Sequence, residues 1–338
     1  AEPRRSKVPR DAHSKRAVAV SDTRPVRVAY LGHVARLSGA EIALLRLLQA
    51  AGDRVAATVV LAEDGELVEP LREAGARVEV LPLAERARGL QRAELRAGRR
   101  QAGAALELSR YVMRVRKLLR ELEPDLVHTT SLKASVYGTA AARLAGLPVL
   151  WHLHDRLAPD YLPRPVVPAM RLLAASAPTA LVANSRMTLE TVGRRFRRGM
   201  AVAVVPNAIP YPERPAQLRE RVETVAMVGR LTPWKGQHVF LEAFAAAFAG
   251  EDSVRARLIG TALFGEEDYE RTLREQAARL GIGDRVEFAG FTSDVGGELG
   301  RADLLVHAST LPEPLGQGVL EGMAAGVPVV AAAAGGPA

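Results

Sequence analysis

The chain has 338 residues, of which 48% are hydrophobic and 4% aromatic, and it contains no cysteine. This length accommodates two globular domains with aliphatic cores, and the lack of cysteine excludes disulfides and thiolate metal sites. The net charge of +8 reflects either an arginine-rich surface or an anionic partner, and no zinc-finger spacing or aromatic-rich RNA-binding strand favours nucleic acid.

Residues 1–25 are expected to form a disordered basic tail. Residues 1–16 are polar and basic, without the apolar core of a secretory signal. No apolar run in the chain approaches the roughly 20 residues needed to span a bilayer. Together with the absence of cysteine, this predicts a cytoplasmic protein.

Short apolar strands alternate with helical patterns after the tail. The first strand is predicted at residues 27–31, and a helix at 40–51 follows it. Further strands of the first half are predicted at 57–61, 78–81, 125–128, 149–152, 180–183 and 202–205. This alternation is typical of a parallel sheet covered by helices on both faces.

A proline-rich polar segment at residues 206–223 separates the first series of strands from a second. Strands of the second series are predicted at 224–228, 257–259, 286–288, 304–307 and 327–331. We therefore expect an α/β fold with two Rossmann-like domains, 26–218 and 219–338. The carboxyl ends of their strands would face each other across a cleft, where such folds bind ligands.

The loop after the first predicted strand reads GHVARLSGAE over residues 32–41. Gly39 would let a phosphate approach the backbone at the start of the next helix. The string lacks the GxGxxG pattern, so a dinucleotide fingerprint is absent. A plain strand-to-helix turn explains these residues equally well.

Two histidines and an aspartate end the strand predicted at 149–152, in the string WHLHD. His152 and His154 would share one face, because successive strand residues point in opposite directions. Polar residues at this end suit acceptor binding or electrostatic stabilisation. A hydrogen-bonded buried histidine is the alternative, and a metal site lacks a third clustered ligand.

The string MVGRLTPWKG at residues 227–236 places two cations between a strand and a helix. The strand ends at Gly229, and Arg230 and Lys235 lie in the loop before the helix. A helix N-terminus with adjacent cations is suited to binding an anion such as a diphosphate. Taken alone, the string is also typical of two solvated surface cations.

The string EPLGQGVLEGMAAGVP at residues 313–328 carries two carboxylates around a glycine-rich turn. Glu313 precedes Gly316 in a loop, and Glu321 falls in the first turns of the predicted helix. Ionised carboxylates only accept hydrogen bonds, so both suit a ligand rich in hydroxyls, such as a sugar or a ribose.

These strings, in this order, closely resemble family-4 glycosyltransferases, which are retaining sugar-nucleotide enzymes of GT-B fold. The likeness covers about residues 26–338 and depends most on 227–236 and 313–328. One departure is Ser38-Gly39, where the family often has two glycines. The family continues with a further strand and helices, so the resemblance implies that the second domain is incomplete and that the chain is incomplete as a catalyst.

The resemblance implies a role for each candidate residue. Arg230 and Lys235 would neutralise the departing diphosphate, Glu321 would hold the ribose, and Glu313 would hold the transferred sugar. His154 would lie near the reacting sugar carbon and Gly39 near the phosphates or sugar. Gly229 and Gly316 are the remaining predicted donor-binding residues. No metal or other cofactor is expected.

The implied activity is retaining transfer of a hexose from a nucleotide sugar to an acceptor hydroxyl on a sugar, lipid or small molecule. One alternative is a sugar-nucleotide epimerase or phosphorylase of the same fold, because fold does not fix function. Another is a non-catalytic, basic surface-binding protein.

Two arginine clusters have two possible interpretations, one of which involves a membrane. Arg88, Arg92, Arg96 and Arg100 are spaced by four, and Arg194, Arg195, Arg197 and Arg198 form the other cluster. Each is either a solvated face or a surface that attracts anionic lipid and would make the protein membrane-associated.

Overall fold

The computed structural model describes residues 24–84, 99–211, 220–263 and 265–338. These residues form two separate parallel sheets, one of seven strands and one of five. The first sheet ends at Val204 and the second begins at Thr224. Residues 1–23, which make up most of the predicted tail, lie outside the described residues.

The first sheet has the strand order β3-β2-β1-β4-β5-β6-β7. Its strands are β1 (Val26–Gly32), β2 (Val55–Leu61), β3 (Arg77–Val80), β4 (Leu126–Thr129), β5 (Val149–Leu153), β6 (Ala180–Ala183) and β7 (Ala201–Val204). Its helices are α1 (Gly39–Ala51), α2 (Val68–Glu73), α3 (Arg99–Leu122), α4 (Leu132–Ala145), α5 (Val166–Ser176) and α6 (Arg186–Val192). The order reverses between β1 and β4.

The second sheet has the strand order β10-β9-β8-β11-β12. Its strands are β8 (Thr224–Val228), β9 (Arg255–Ile259), β10 (Val286–Gly290), β11 (Leu304–His307) and β12 (Val329–Ala331). Its helices are α7 (Gln237–Ala247), α8 (Glu267–Arg279), α9 (Val295–Leu299) and α10 (Gln317–Ala324). Here the order reverses between β8 and β11.

Strand β1 shows why a parallel sheet forms, because both of its faces are buried. Ala29 and Leu31 pack with Trp151 in one core, whereas Val28 and Tyr30 pack in another on the opposite face. A strand buried on both faces needs a continuous apolar run, and helices must cover each side.

The structure confirms the predicted fold class and all twelve predicted strands, with bounds within about two residues. The apolar spacing after Gly236 predicts that α7 buries Val239, Phe240, Ala243 and Phe244, among others. Phe240 and Phe244 are buried, whereas Val239 and Ala243 are exposed. The buried face of α7 follows Phe240 and its neighbour Leu241, so the i, i+4 pair one residue earlier points to solvent.

Candidate functional site

The carboxyl ends of β8 and β11 lie side by side where the second sheet reverses its order. The loop after β8 carries Arg230 and Lys235, and the loop after β11 carries Glu313. Open α/β sheets bind ligands at this kind of switch point. The fold therefore gathers predicted residues that are far apart in sequence.

Lys235 and Glu313 form a buried ion pair, with 2.5 Å between Lys235 Nζ and Glu313 Oε1. Two more side chains reach the same oxygen: His307 Nε2 lies 2.8 Å away, and Ser309 Oγ donates at 2.5 Å. Burial raises the pKa of Glu313, but the His307 hydrogen bond and the Lys235 charge outweigh it and lower the pKa to about 2. Glu313 is thus an ionised acceptor at neutral pH.

Arg230 lies at the edge of this cluster, beside a carboxylate that the sequence patterns did not indicate. Arg230 Nε lies 3.8 Å from Glu266 Oε2, and Thr232 Oγ1 donates to Glu266 Oε1 at 2.6 Å. Gln237 at the start of α7 donates to the Arg230 carbonyl at 2.8 Å. The loop is therefore held on both sides while the guanidinium remains partly exposed.

Two of the three predicted glycines, Gly229 and Gly316, border these loops. Gly229 directly follows β8 and lies next to Lys235, whose side chain is 3.7–3.9 Å from where a Cβ would stand. Gly316 precedes α10 with a φ of 77°, and a Cβ there would lie 2.5 Å from Pro337 Cγ. A side chain at Gly316 would meet both backbone strain and a clash.

Glu321 lies on α10 and pairs with a residue of the first domain. Arg46 Nη1, on α1, lies 2.7 Å from Glu321 Oε1, and Gln317 Nε2 donates to the same oxygen at 3.1 Å. Both partners of the ion pair are mostly buried. Sequence patterns missed Arg46, because nothing in the composition of α1 marks one arginine as an interdomain partner.

The loop of Glu313 is also tied to the first domain through its backbone. Arg156 Nη1 donates to the Pro312 carbonyl at 3.1 Å, and Ser185 Oγ donates to the Pro314 carbonyl. These two carbonyls flank Glu313 on either side. The main chain at Glu313 is therefore held by donors from across the cleft.

Rings from β1, β4 and β5 form a column near the carboxyl end of the first sheet. The rings follow one another in space in the order Tyr30, His128, His152 and His154. Successive ring centroids are 4.9, 5.4 and 4.0 Å apart. His152 and His154 thus share one face, as expected. Each of the three histidines has one buried ring nitrogen without a partner in the described part of the chain. Burial lowers the pKa of His152 to about 4 and that of His154 further, so both rings are neutral at pH 7.

Gly39 begins α1, is exposed, and has open space where a Cβ would stand. Nearby, the Ser38 hydroxyl donates to Glu41, which is 5% exposed. Burial raises the pKa of Glu41 to about 7, so this carboxyl titrates near neutrality. Glu41 was not among the predicted site residues, although its place in the first turn of a helix at a switch point was a usable signal.

Some residues of the predicted arginine stripe lie outside the described part of the chain. Arg88, Arg92 and Arg96 lie outside it, as does the side chain of Arg100, whereas the cluster Arg194, Arg195, Arg197 and Arg198 is exposed. Over residues 24–84, 99–211, 220–263 and 265–338, no group of three His, Asp or Glu could hold a metal ion. None of the helices in those ranges is long and apolar enough to cross a membrane.

Two family models match the chain. Residues 38–208 match the glycosyl transferase 4-like domain, and residues 213–338 match glycosyl transferases group 1. Among solved structures, Anabaena Alr3699/HepE in complex with UDP-glucose is similar, with 30% sequence identity and a TM-score of 0.76. That match covers 92% of this chain and 81% of the other.

Curated relatives match over shorter stretches. The exopolysaccharide phosphotransferase SCO2592 of Streptomyces coelicolor is 31% identical over 64% of this chain and 22% of its own length. The UDP-Gal:alpha-D-GlcNAc-diphosphoundecaprenol alpha-1,3-galactosyltransferase of Escherichia coli is 27% identical over 63% of this chain and 59% of its own length. The chain thus spans from 22% to 59% of these two relatives.

Proposed function

The chain belongs to the glycosyl transferase 4-like family of GT-B fold, and we propose that it is a retaining enzyme that transfers a hexose from a nucleotide sugar to an acceptor hydroxyl. In this reaction the bond between the anomeric carbon and the diphosphate breaks, and the diphosphate leaves with the electron pair. The acceptor oxygen bonds to the same carbon and gives up its proton.

The Lys235–Glu313 pair at the N-terminal end of α7 is the observation that carries this proposal. Arg230, Lys235 and the positive end of the α7 helix dipole supply positive potential where the leaving diphosphate would gain charge. Fixed charges of this kind stabilise a transition state without reorganisation. Because these groups supply the charge, the proposed reaction requires no metal ion.

The other predicted residues take complementary roles in this proposal. Glu313 accepts hydrogen bonds from the transferred sugar, and Glu321 accepts them from the ribose. From the first domain, Gly39 lies near the phosphates or sugar, and His154 offers a neutral imidazole near the reacting carbon. The open space in front of Gly39 supports its role.

One experiment separates transfer from its alternatives. Nucleotide sugars are first screened by thermal shift, because a ligand that binds the native state raises its stability. Release of nucleoside diphosphate is then measured with the best donor, with and without candidate acceptors. Release that requires an acceptor supports transfer. An epimerase would convert the donor without releasing nucleotide, and a phosphorylase would need phosphate. A non-catalytic protein would neither convert the donor nor release nucleotide.

We expect Glu321 and Glu313 to affect different parts of one donor. Loss of a hydrogen bond to a charged group costs roughly 1.5–3 kcal/mol, or about ten- to a hundred-fold. Glu321→Gln should therefore weaken the binding of both the nucleoside diphosphate and the nucleotide sugar. Glu313→Gln should spare the bare nucleotide and lower kcat, because its sugar contact tightens as the glycosidic bond breaks.

Calorimetric titration with both ligands and initial rates measure this difference. The exposed Glu275 supplies a control with the same charge change, Glu275→Gln, which should alter neither quantity. Loss of bare-nucleotide affinity in Glu313→Gln alone would reverse the two roles. No change in either variant would remove the donor site from this segment.

We also propose that the acceptor is presented at an anionic membrane surface. The name of the Escherichia coli relative specifies a lipid diphosphate as its acceptor, and this chain carries exposed arginines at 194, 195, 197 and 198. Anionic lipid attracts basic residues by about 1 kcal/mol each near the surface. The stripe at Arg88, Arg92, Arg96 and Arg100 would add to this attraction.

Changing either arginine cluster to glutamine should weaken sedimentation with anionic vesicles, and added salt should weaken it in the wild type. Neutral vesicles should bind poorly throughout. A control removes the same charge at four exposed arginines elsewhere: Arg54, Arg72, Arg271 and Arg279. If that control weakened binding as much as the clusters, net charge alone would explain the effect and neither cluster would be a membrane site.

A further inference from the structure

All the hydrogen bonds of the Glu313 carboxylate converge on one of its two oxygens. Lys235 Nζ, His307 Nε2 and Ser309 Oγ all reach Oε1, at 2.5, 2.8 and 2.5 Å. Among the described residues no group bonds to Oε2, and this oxygen is not sealed from solvent. The carboxylate therefore has one saturated oxygen and one open oxygen.

His307 holds Glu313 through one ring nitrogen, Nε2. An ionised carboxylate only accepts, so the bond to Glu313 assigns the proton to Nε2. Nδ1 of the same ring is buried and has no partner in the described part of the chain. His307 is 8% exposed and Ser309 6%, so water does not compete for either donor.

The backbone on both sides of Glu313 is already held. Arg156 and Ser185 bond to the carbonyls of Pro312 and Pro314. With the main chain fixed, the direction of Oε2 depends on what holds Oε1. Lys235 alone would hold Oε1 poorly, because in the proposed function its charge is shared with the leaving diphosphate.

We propose that His307 and Ser309 are positioning residues for sugar transfer: they hold Glu313 Oε1 so that Oε2 points at a hydroxyl of the transferred sugar. This inference extends the proposed function and depends on it. These two donors keep the carboxylate oriented while Lys235 turns toward the diphosphate. Such preorganisation contributes most in the transition state, where a small misplacement slows the reaction strongly.

The test compares isosteric and apolar replacements at His307. His307→Gln keeps an N–H donor near the position of Nε2, whereas His307→Leu removes it. We expect His307→Leu to lower kcat about ten-fold or more, with unchanged affinity for the bare nucleoside diphosphate of the best donor. His307→Gln should recover most of that loss. Ser309→Ala should lower kcat in the same way, and Ser176→Ala, an exposed hydroxyl on α5, supplies the matched control.

The outcomes separate the positioning role from the proposed function. Wild-type kcat in folded His307→Leu and Ser309→Ala would overturn the positioning role alone, while transfer by the wild type stands. Equal loss in the Gln and Leu variants, together with lower melting temperatures and weaker nucleotide binding, would also overturn it in favour of a structural role. Absence of any donor turnover by the wild type would overturn both.

Discussion

Lys235→Met is expected to lower the rate of sugar transfer by about 10²–10³-fold, the range for losing one fixed group that stabilises developing charge. In the proposed reaction Lys235 neutralises the diphosphate as the glycosidic bond breaks. Methionine keeps much of the volume of the side chain over the Trp234 ring, where Lys235 Nζ now lies 4.7 Å from the centroid. The loss should appear chiefly in kcat, because the charge on the leaving group grows in the transition state.

The stability of the same variant should change less than its activity. Breaking a buried ion pair typically costs 3–5 kcal/mol, because one charge is left without a partner. Here His307 and Ser309 still donate to Glu313, so we expect a smaller cost. Lys117→Met on α3 is the control, since Lys117 is 81% exposed and pairs only at the surface with Glu121. Transfer at the wild-type rate in Lys235→Met would exclude Lys235 from leaving-group stabilisation.

The strand series was predictable because local physics decides it. Strands buried on both faces are short apolar runs, and each was recognisable without knowing its neighbours. Arg230, Lys235, Glu313 and Glu321 were predicted on different grounds, because their strings resemble a known family, and single charged residues are otherwise ordinary at a surface. Lys235 and Glu313 meet because the carboxyl ends of β8 and β11 lie side by side, as the alternation of strands and helices predicts.

The supporting partners were not predictable, because the fold brings them together from distant positions. Arg46 and Glu321 are 275 residues apart, and Thr232 and Glu266 are 34 apart. Neither Arg46 nor Glu266 stands in a distinctive string, since a surface arginine or glutamate is the ordinary case. His307 was assigned only to a strand, and its donor role appears once β11 lies beside the loop of Glu313.

Gly236→Ala is expected to lower the free energy of unfolding by about 3–5 kcal/mol, from backbone strain and overpacking together. Gly236 joins the loop of Lys235 to α7 with a φ of 81°, a left-handed conformation that disfavours other residues. A Cβ there would also lie 2.0 Å from the carbonyl oxygen of Ala308, which is backbone and cannot turn aside.

Gly250→Ala separates these two contributions. Gly250 has nearly the same φ, 82°, but a Cβ there would meet nothing within 4 Å. Gly250→Ala should therefore lower the free energy of unfolding by the backbone strain alone, about 1–2 kcal/mol. Denaturant unfolding and melting temperatures of both variants measure the difference, which reports the contact between the Lys235 loop and the loop after β11. Equal losses in the two variants would mean that Ala308 moves away at little cost, and the two loops that carry Lys235 and Glu313 would then be less rigidly joined than the geometry indicates.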